Sequence, residues 1–251
     1  MATQTDPSAK VRAPLSRERV MRAAIALADA SGIESLSMRK LGQELGVEAM
    51  SLYNHVANKD DILDGIVDLV FGEIVLPSGN SPMAVRVPPP GRGRRPGPTS
   101  PASGEEWKPA MRNRAASAHE ALLRHPWAPS LMQSRTRPGP ATLRHHDSVL
   151  GSLRSAGFTL VMAAHAVSVI DGYVYGFALQ QINLPLQSRE RVAEVGEGIL
   201  RQLAGEYPHL AEMITEHAMK PGYDYANEFE FGLDLILDGL ERLRTEASSR
   251  T

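Results

Sequence analysis

The chain has no cysteine. Disulfides and thiolate metal sites are therefore excluded, and the composition suits a reducing cytoplasm, where the protein is expected to reside. No apolar run approaches the length expected of a membrane span, and the N-terminus lacks the apolar core of a signal peptide. No membrane partner is expected. Charge of one sign does not dominate: the formal net charge is −2, so this is not a uniformly basic coat for nucleic acid. There is also no phosphate loop, zinc-protease helix or nucleophile elbow. What remains is a chain of 251 residues, 42% hydrophobic, with enough apolar material for one large or two modest domains.

The charge is unevenly placed. Lys10, Arg12, Arg17, Arg19, Arg22, Arg39, Lys40 and Lys59 gather in the first part of the chain, and Asp60, Asp61, Asp64, Asp68 and Glu73 follow closely. A small basic face can hold phosphates while the remainder stays acidic.

Residues 37–56 carry the strongest pattern. Ser37 is a helix N-cap, and Met38, Leu41 and Leu45 then fall on one helical face. Gly46 supplies the left-handed conformation that stops a helix. After Val47 a second helix has one narrow apolar edge, Leu52 and Val56. Its remaining residues are Glu48, Ala49, Met50, Ser51, Tyr53, Asn54 and His55, small or hydrogen-bonding where a core helix would carry leucine. Small residues let a backbone approach base edges, and the polar ones can bond bases or phosphates. Two helices this short cannot bury a core alone. Residues 16–29 supply a third, capped by Ser16 and ended near Ser31-Gly32. Asn58-Lys59-Asp60-Asp61 opens a fourth with apolar Ile62, Leu63, Ile66, Val67, Leu69 and Val70.

The run from Leu41 to Lys59 resembles the DNA-binding head of the TetR family of transcriptional regulators, through Leu52-Tyr53, His55 and Asn58-Lys59-Asp60. Trp107, Arg112-Asn113, Ala121-Leu122-Leu123-Arg124, Thr136-Arg137-Pro138, Ala156-Gly157-Phe158 and Gln180-Gln181 resemble landmarks of the tetracycline-repressor type of ligand domain. The resemblance implies DNA contacts at Ser37, Arg39, Ala49, Met50, Ser51, Tyr53, Asn54, His55 and Lys59. Ala49 and Met50 offer only apolar contacts, for example to a thymine methyl. It also implies a ligand pocket, for which Arg114, Ala118, Gln133, His165, Asp171, Tyr175 and Gln180 are the candidates. Where the tetracycline repressor has a magnesium-binding histidine, this chain has Gln133, or Met132 if the gap shifts. Ile74 replaces another polar contact. A hard cation wants oxygen ligands, so the implied small-molecule inducer is not a magnesium–tetracycline complex. No metal, cofactor or catalytic residue is expected.

The expected fold is all-α. Residues 1–14 form an arm, 15–76 a head of three helices with helix-turn-helix plus a connecting fourth helix, 77–104 a basic linker rich in proline and glycine, 105–246 a larger helical domain for ligand binding and dimerisation, and 247–251 a tail. The arm and linker are either solvated chain or extra DNA contacts. In the large domain, residues 161–181 are apolar nearly all round, and Phe229, Leu233, Ile236, Leu237, Leu240 and Leu243 make a stripe. A helix apolar on every side must be covered on every side. A homodimer through these last two long helices would do so and would suit a near-palindromic double-stranded DNA operator. The expected function is a ligand-responsive regulator, a repressor released by a small molecule. The alternatives are a DNA-binding or dimerisation protein without a ligand, and a helical enzyme using His145-His146-Asp147 or Ser117, His119 and Glu120.

Overall fold

The structure, a computed structural model, describes residues 14–77, 107–184, 189–203 and 205–249. Apart from Pro14 and Pro77, the arm and the linker lie outside the described residues, as do Lys10 and Arg12. Among the described residues every regular element is a helix and none is a strand. The chain divides into two compact units, one up to Val67 and one from Asp68 onward.

The first unit holds α1 (Arg17–Ser31), α2 (Met38–Leu45), α3 (Ala49–Leu52) and most of α4 (Lys59–Glu73). Local chemistry sets each boundary. Ser16 Oγ accepts from the Arg19 amide and Ser37 Oγ from the Lys40 amide, so both hydroxyls cap as their positions demand. Asn58 Oδ1 accepts from the Asp61 amide at the start of α4. Gly46 ends α2 with φ 67 and ψ 37, a conformation that costs a residue with a Cβ. A single 3-10 turn, Ile33–Ser35, was not foreseen. The core consists of Val20, Met21, Ala24 and Ala28 from α1, Leu41 and Leu45 from α2, Leu52 and Val56, and Ile62 and Ile66 from α4. Each large aliphatic side chain so buried contributes about 1.5–3 kcal/mol.

The second unit begins inside α4 and continues through α5 (Trp107–Arg124), α6 (Ala128–Ser134), α7 (Pro140–Ser155), α8 (Leu160–Asn183), α9 (Arg189–Leu203), α10 (Pro208–Met213) and α11 (Ala226–Ser248). A π-helical turn, Ile214–Ala218, follows α10. α5 and α11 run antiparallel. Trp107 Nε1 donates to Glu241 at 2.7 Å, Lys108 pairs with Asp238 and Arg112 with Asp234, so partners descend along α11 as α5 ascends. Phe229, Leu233, Leu237 and Leu240 of the expected α11 stripe face this core, whereas Leu243 is exposed.

α8 is long and apolar enough to cross a membrane by length and composition, contrary to the expectation from uninterrupted runs, because its polar residues are too sparse to lower the average. Three of them bind within the unit. Asp171 pairs with Arg114 of α5, Gln181 accepts from His119 of α5, and Gln180 accepts from the Tyr225 hydroxyl.

Candidate nucleic-acid interface and buried polar cluster

The second helix of the expected helix-turn-helix is short. α3 spans only Ala49–Leu52, and Tyr53, Asn54 and His55 lie in the turn that follows. Leu52 and Val56 are its buried anchors. The opposite side is open: Met50 is 75% and Tyr53 47% exposed, Asn54 is exposed, and Ala49, Ser51 and His55 are half-buried. Ser37, Arg39 and Lys59 are exposed as well. Two of the basic residues near this face have internal duties. Arg17 makes a two-pronged pair with Asp61 (2.7 and 2.6 Å) and donates to the His55 carbonyl at 3.3 Å. Arg22 pairs with Glu18 one turn earlier. Arg17 therefore holds the turn after α3 to the start of α4. The Asp61 carboxylate is drawn down to about 2, chiefly by its bond from Arg17, with the Ala57 amide helping.

In the second unit, Arg114 is 1% exposed and His145 fully buried, an unusual depth for a guanidinium and an imidazole. Arg114 Nε and Nη2 approach His145 Nε2 at 3.2 and 2.8 Å. A guanidinium only donates, so Nε2 accepts and Nδ1 carries the hydrogen. Burial, aided by the charge on Arg114, holds His145 down to about 3, so the ring is neutral. Arg114 Nη1 lies 2.6 Å from Asp171 Oδ1 as an ion pair, but outside the line of a hydrogen bond. Arg114 Nη1, His145 Nδ1 and Asp171 Oδ1 are buried without a hydrogen-bond partner. Burial also pushes the Tyr175 phenol upward, and Asp171 adds to the shift.

Two connections tie the end of α4 to the same helices. The Asp68 carboxylate caps α7, accepting from the Ala141 amide (3.2 Å), the Thr142 amide (2.8 Å) and the Thr142 hydroxyl (2.9 Å). α7 begins after Gly139 with no side-chain cap of its own, and a Cβ on Gly139 would lie 2.5 Å from Asp68 Oδ1. Glycine at this position leaves the carboxylate its seat. At the other connection Glu73 pairs with Arg124 at 2.8 Å and His125 at 3.3 Å, while the Val75 amide donates to Ser117 Oγ. Phe71 of α4 packs on the His145 ring, with centroids 5.3 Å apart.

Residues 20–66 match the family described as bacterial regulatory proteins, tetR family, and residues 100–244 match the tetracyclin repressor-like C-terminal domain. The chain belongs to the tetR family. An HTH-type transcriptional repressor, DrrR1 of Streptomyces coeruleorubidus, is 33% identical over 94% of this chain and 81% of its own length. The class C tetracycline repressor of Escherichia coli is 29% identical over 92% of each chain. Among solved structures, the TetR family protein ActR of Streptomyces coelicolor in complex with actinorhodin matches with TM-score 0.68 and 27% identity, covering 92% of this chain and 99% of that one. The chain is accordingly a ligand-responsive, DNA-binding transcriptional regulator.

Of the pocket candidates, the structure brings together Arg114 and Asp171, with Tyr175 one turn further along α8 and buried Ala118 one turn further along α5. It leaves three outside this cluster. Gln133 is exposed on α6, and Gln180 is exposed and holds Tyr225. His165 shares the phase of exposed Val161 and Val169, so it faces outward. His145 was expected only in the enzyme alternative, and Asp68, Glu73 and Phe71 were not foreseen as parts of a site. Only the missing cap on α7 hinted that a carboxylate from elsewhere must arrive.

The Arg17–Asp61 pair makes a checkable pH contribution. Asp61 is depressed below an unfolded value of about 3.9, so its contribution is complete above that pH and disappears as pH falls toward about 2. With Arg17 half-exposed, screening limits the pair to about 1 kcal/mol. Acid titration of stability should show wild type losing more than Asp61→Asn between about pH 4 and 2.

Proposed function

We propose that the chain is a repressor that binds a near-palindromic double-stranded DNA operator as a homodimer and is released by a small molecule. The observation that carries this reading is the open face of α3 and its following turn, held only by Leu52 and Val56. Arg39 reaches a base or phosphate, Tyr53 and His55 reach phosphates, and Lys59 holds a phosphate at the start of α4. Ser37, Ser51 and Asn54 add hydrogen bonds. Ala49 and Met50 give apolar contact only, so base discrimination leans on Arg39, Ser51 and DNA shape. The protein works in the cytoplasm, beside the DNA.

The partner surface lies on α8 and α11. Leu160, Val161, Ala164, Ser168, Val169 and Gly172 form one outward stripe of α8, with Leu160 and Val161 each 65% exposed. Phe231, Leu235 and Leu243 stand out from α11. Exposed apolar residues in such stripes mark an association site. A second copy offering the same stripes supplies a closed, symmetric cover. The ligand acts among α5, α7 and α8, and the Asp68 and Glu73 connections carry its effect to α4. Arg114 and Ile74 are poorly suited to a magnesium complex, so the inducer differs from magnesium–tetracycline.

Three of the groups named for the enzyme alternative are engaged elsewhere. Ser117 and His119 are engaged with Val75 and Gln181, and His145 serves Arg114.

In gel shifts with DNA upstream of its own gene, wild type should bind. Arg39→Ala with Tyr53→Ala should weaken binding at least about 30-fold, at about 1–3 kcal/mol per specific contact. Full binding by the double variant would contradict the assignment. In analytical ultracentrifugation, wild type should sediment as a dimer. Val169→Arg with Leu235→Arg, both exposed in the single chain, should give a folded monomer. A dimer in that variant would move the interface elsewhere.

A further inference from the structure

The chain has no thiol, so oxidation at sulfur falls on its 10 methionines. Among the described residues two of them are exposed, Met50 on α3 at 75% and Met213 on α10 at 46%. Met21 and Met111 are buried, and Met38, Met132, Met162 and Met219 are half-buried. Met50 is the most exposed large apolar side chain described. Its backbone is fixed all the same, because the Met50 carbonyl accepts from the Tyr53 amide at 3.2 Å. A pliable thioether thus stands in solvent on a fixed mount, away from the anchor Leu52.

In the DNA-bound regulator Met50 gives apolar contact only. Oxidation reverses the character of that contact. We propose that Met50 is a sulfoxidation site through which a peroxide weakens operator binding. The thioether sulfur attacks one peroxide oxygen. An S–O bond forms and the O–O bond breaks. Sulfur gives up two electrons to the peroxide, and the proton of the transferred hydroxyl passes to the departing oxygen, which leaves as water. The product sets a polar S–O group where the DNA offers an apolar one, and burying that group without a donor is costly. This rests on the regulator reading above and adds a modification to its DNA face.

Exposure keeps the effect local. Met21, the buried methionine of the head, lies so close on Gly65 of α4 that a Cβ there would come within 2.6 Å of its Cε. Packing shields it from the oxidant. Met50 belongs to no core, so its oxidation removes no buried contact and leaves the head folded. Met213 stands in the second unit and reports the oxidant dose independently of the DNA face.

The test treats the full chain with a graded series of dilute hydrogen peroxide. Peptide mass spectrometry reads each methionine, melting curves read the fold, and gel shifts read binding to DNA upstream of its gene. Met50 and Met213 should gain oxygen first, with the melting temperature unchanged. Once Met50 is fully oxidised, binding should be at least about tenfold weaker, and reductases for both sulfoxide epimers should restore it. Bound DNA should slow oxidation of Met50 at least about threefold and leave that of Met213 unchanged. Met213→Leu should lose binding as wild type does. Met50→Leu, compared with its own untreated sample, should lose less than about twofold. Oxidation of Met50 no faster than that of the buried methionines overturns the proposal. So does unchanged binding by protein oxidised at Met50, an equal loss in Met50→Leu, or a loss that appears only with a lowered melting temperature. Untreated protein that binds no DNA upstream of its gene would instead defeat the regulator reading, even where Met50 oxidises first.

Discussion

One helix is shared by the two cores of this chain. The first turns of α4 bury Ile62 and Ile66 with α1 to α3, and its last turns carry Asp68, Phe71 and Glu73 into contacts with α5 and α7. A helix is a stiff element, because each residue is tied to the next turn by its own backbone bond. Whatever fixes the last turns of α4 therefore bears on its first turns. Asp68 does this most economically, with one carboxylate answering three donors at the open end of α7. Such bonds combine charge with a helix terminus that favours it.

The two polar devices of the molecule differ in how complete they are. The Asp68 cap and the Arg17–Asp61 pair have matched donors and acceptors, as stabilising contacts should. In the Arg114–His145–Asp171 cluster, Arg114 Nη1 and Asp171 Oδ1 form an ion pair at 2.6 Å, and His145 Nδ1 has no hydrogen-bond partner. A buried ion pair is weak support for stability in any case, since desolvation offsets most of its attraction.

The sequence was most legible where the governing chemistry is local. Ser16, Ser37 and Asn58 cap because a hydroxyl or amide oxygen lies three residues from the amide it serves, and Gly46 ends a helix by its own conformation. The open face of α3 was legible for the same reason, although its helix is shorter than the pattern implied. Long-range partners were not legible. Nothing near Asp68 points to Thr142, and nothing near Glu73 points to Arg124. α8 concealed its phase, because apolar residues stand on every side. Outward Val169 and inward Ile170 look alike until the fold is known. That ambiguity placed His165 among the pocket candidates.

The central claim is that the grip of the second unit on α4 sets how well the heads hold DNA. Asp68 is remote from α2 and α3 in sequence, so replacing it leaves the reading residues unchanged. In the proposed dimer, loosening α4 would raise the entropy lost when two heads are fixed at one spacing. The decisive measurement is the affinity of Asp68→Ala for DNA upstream of the gene, beside wild type at the same salt. The account predicts binding about tenfold weaker, with dimerisation intact. An unchanged affinity would contradict it.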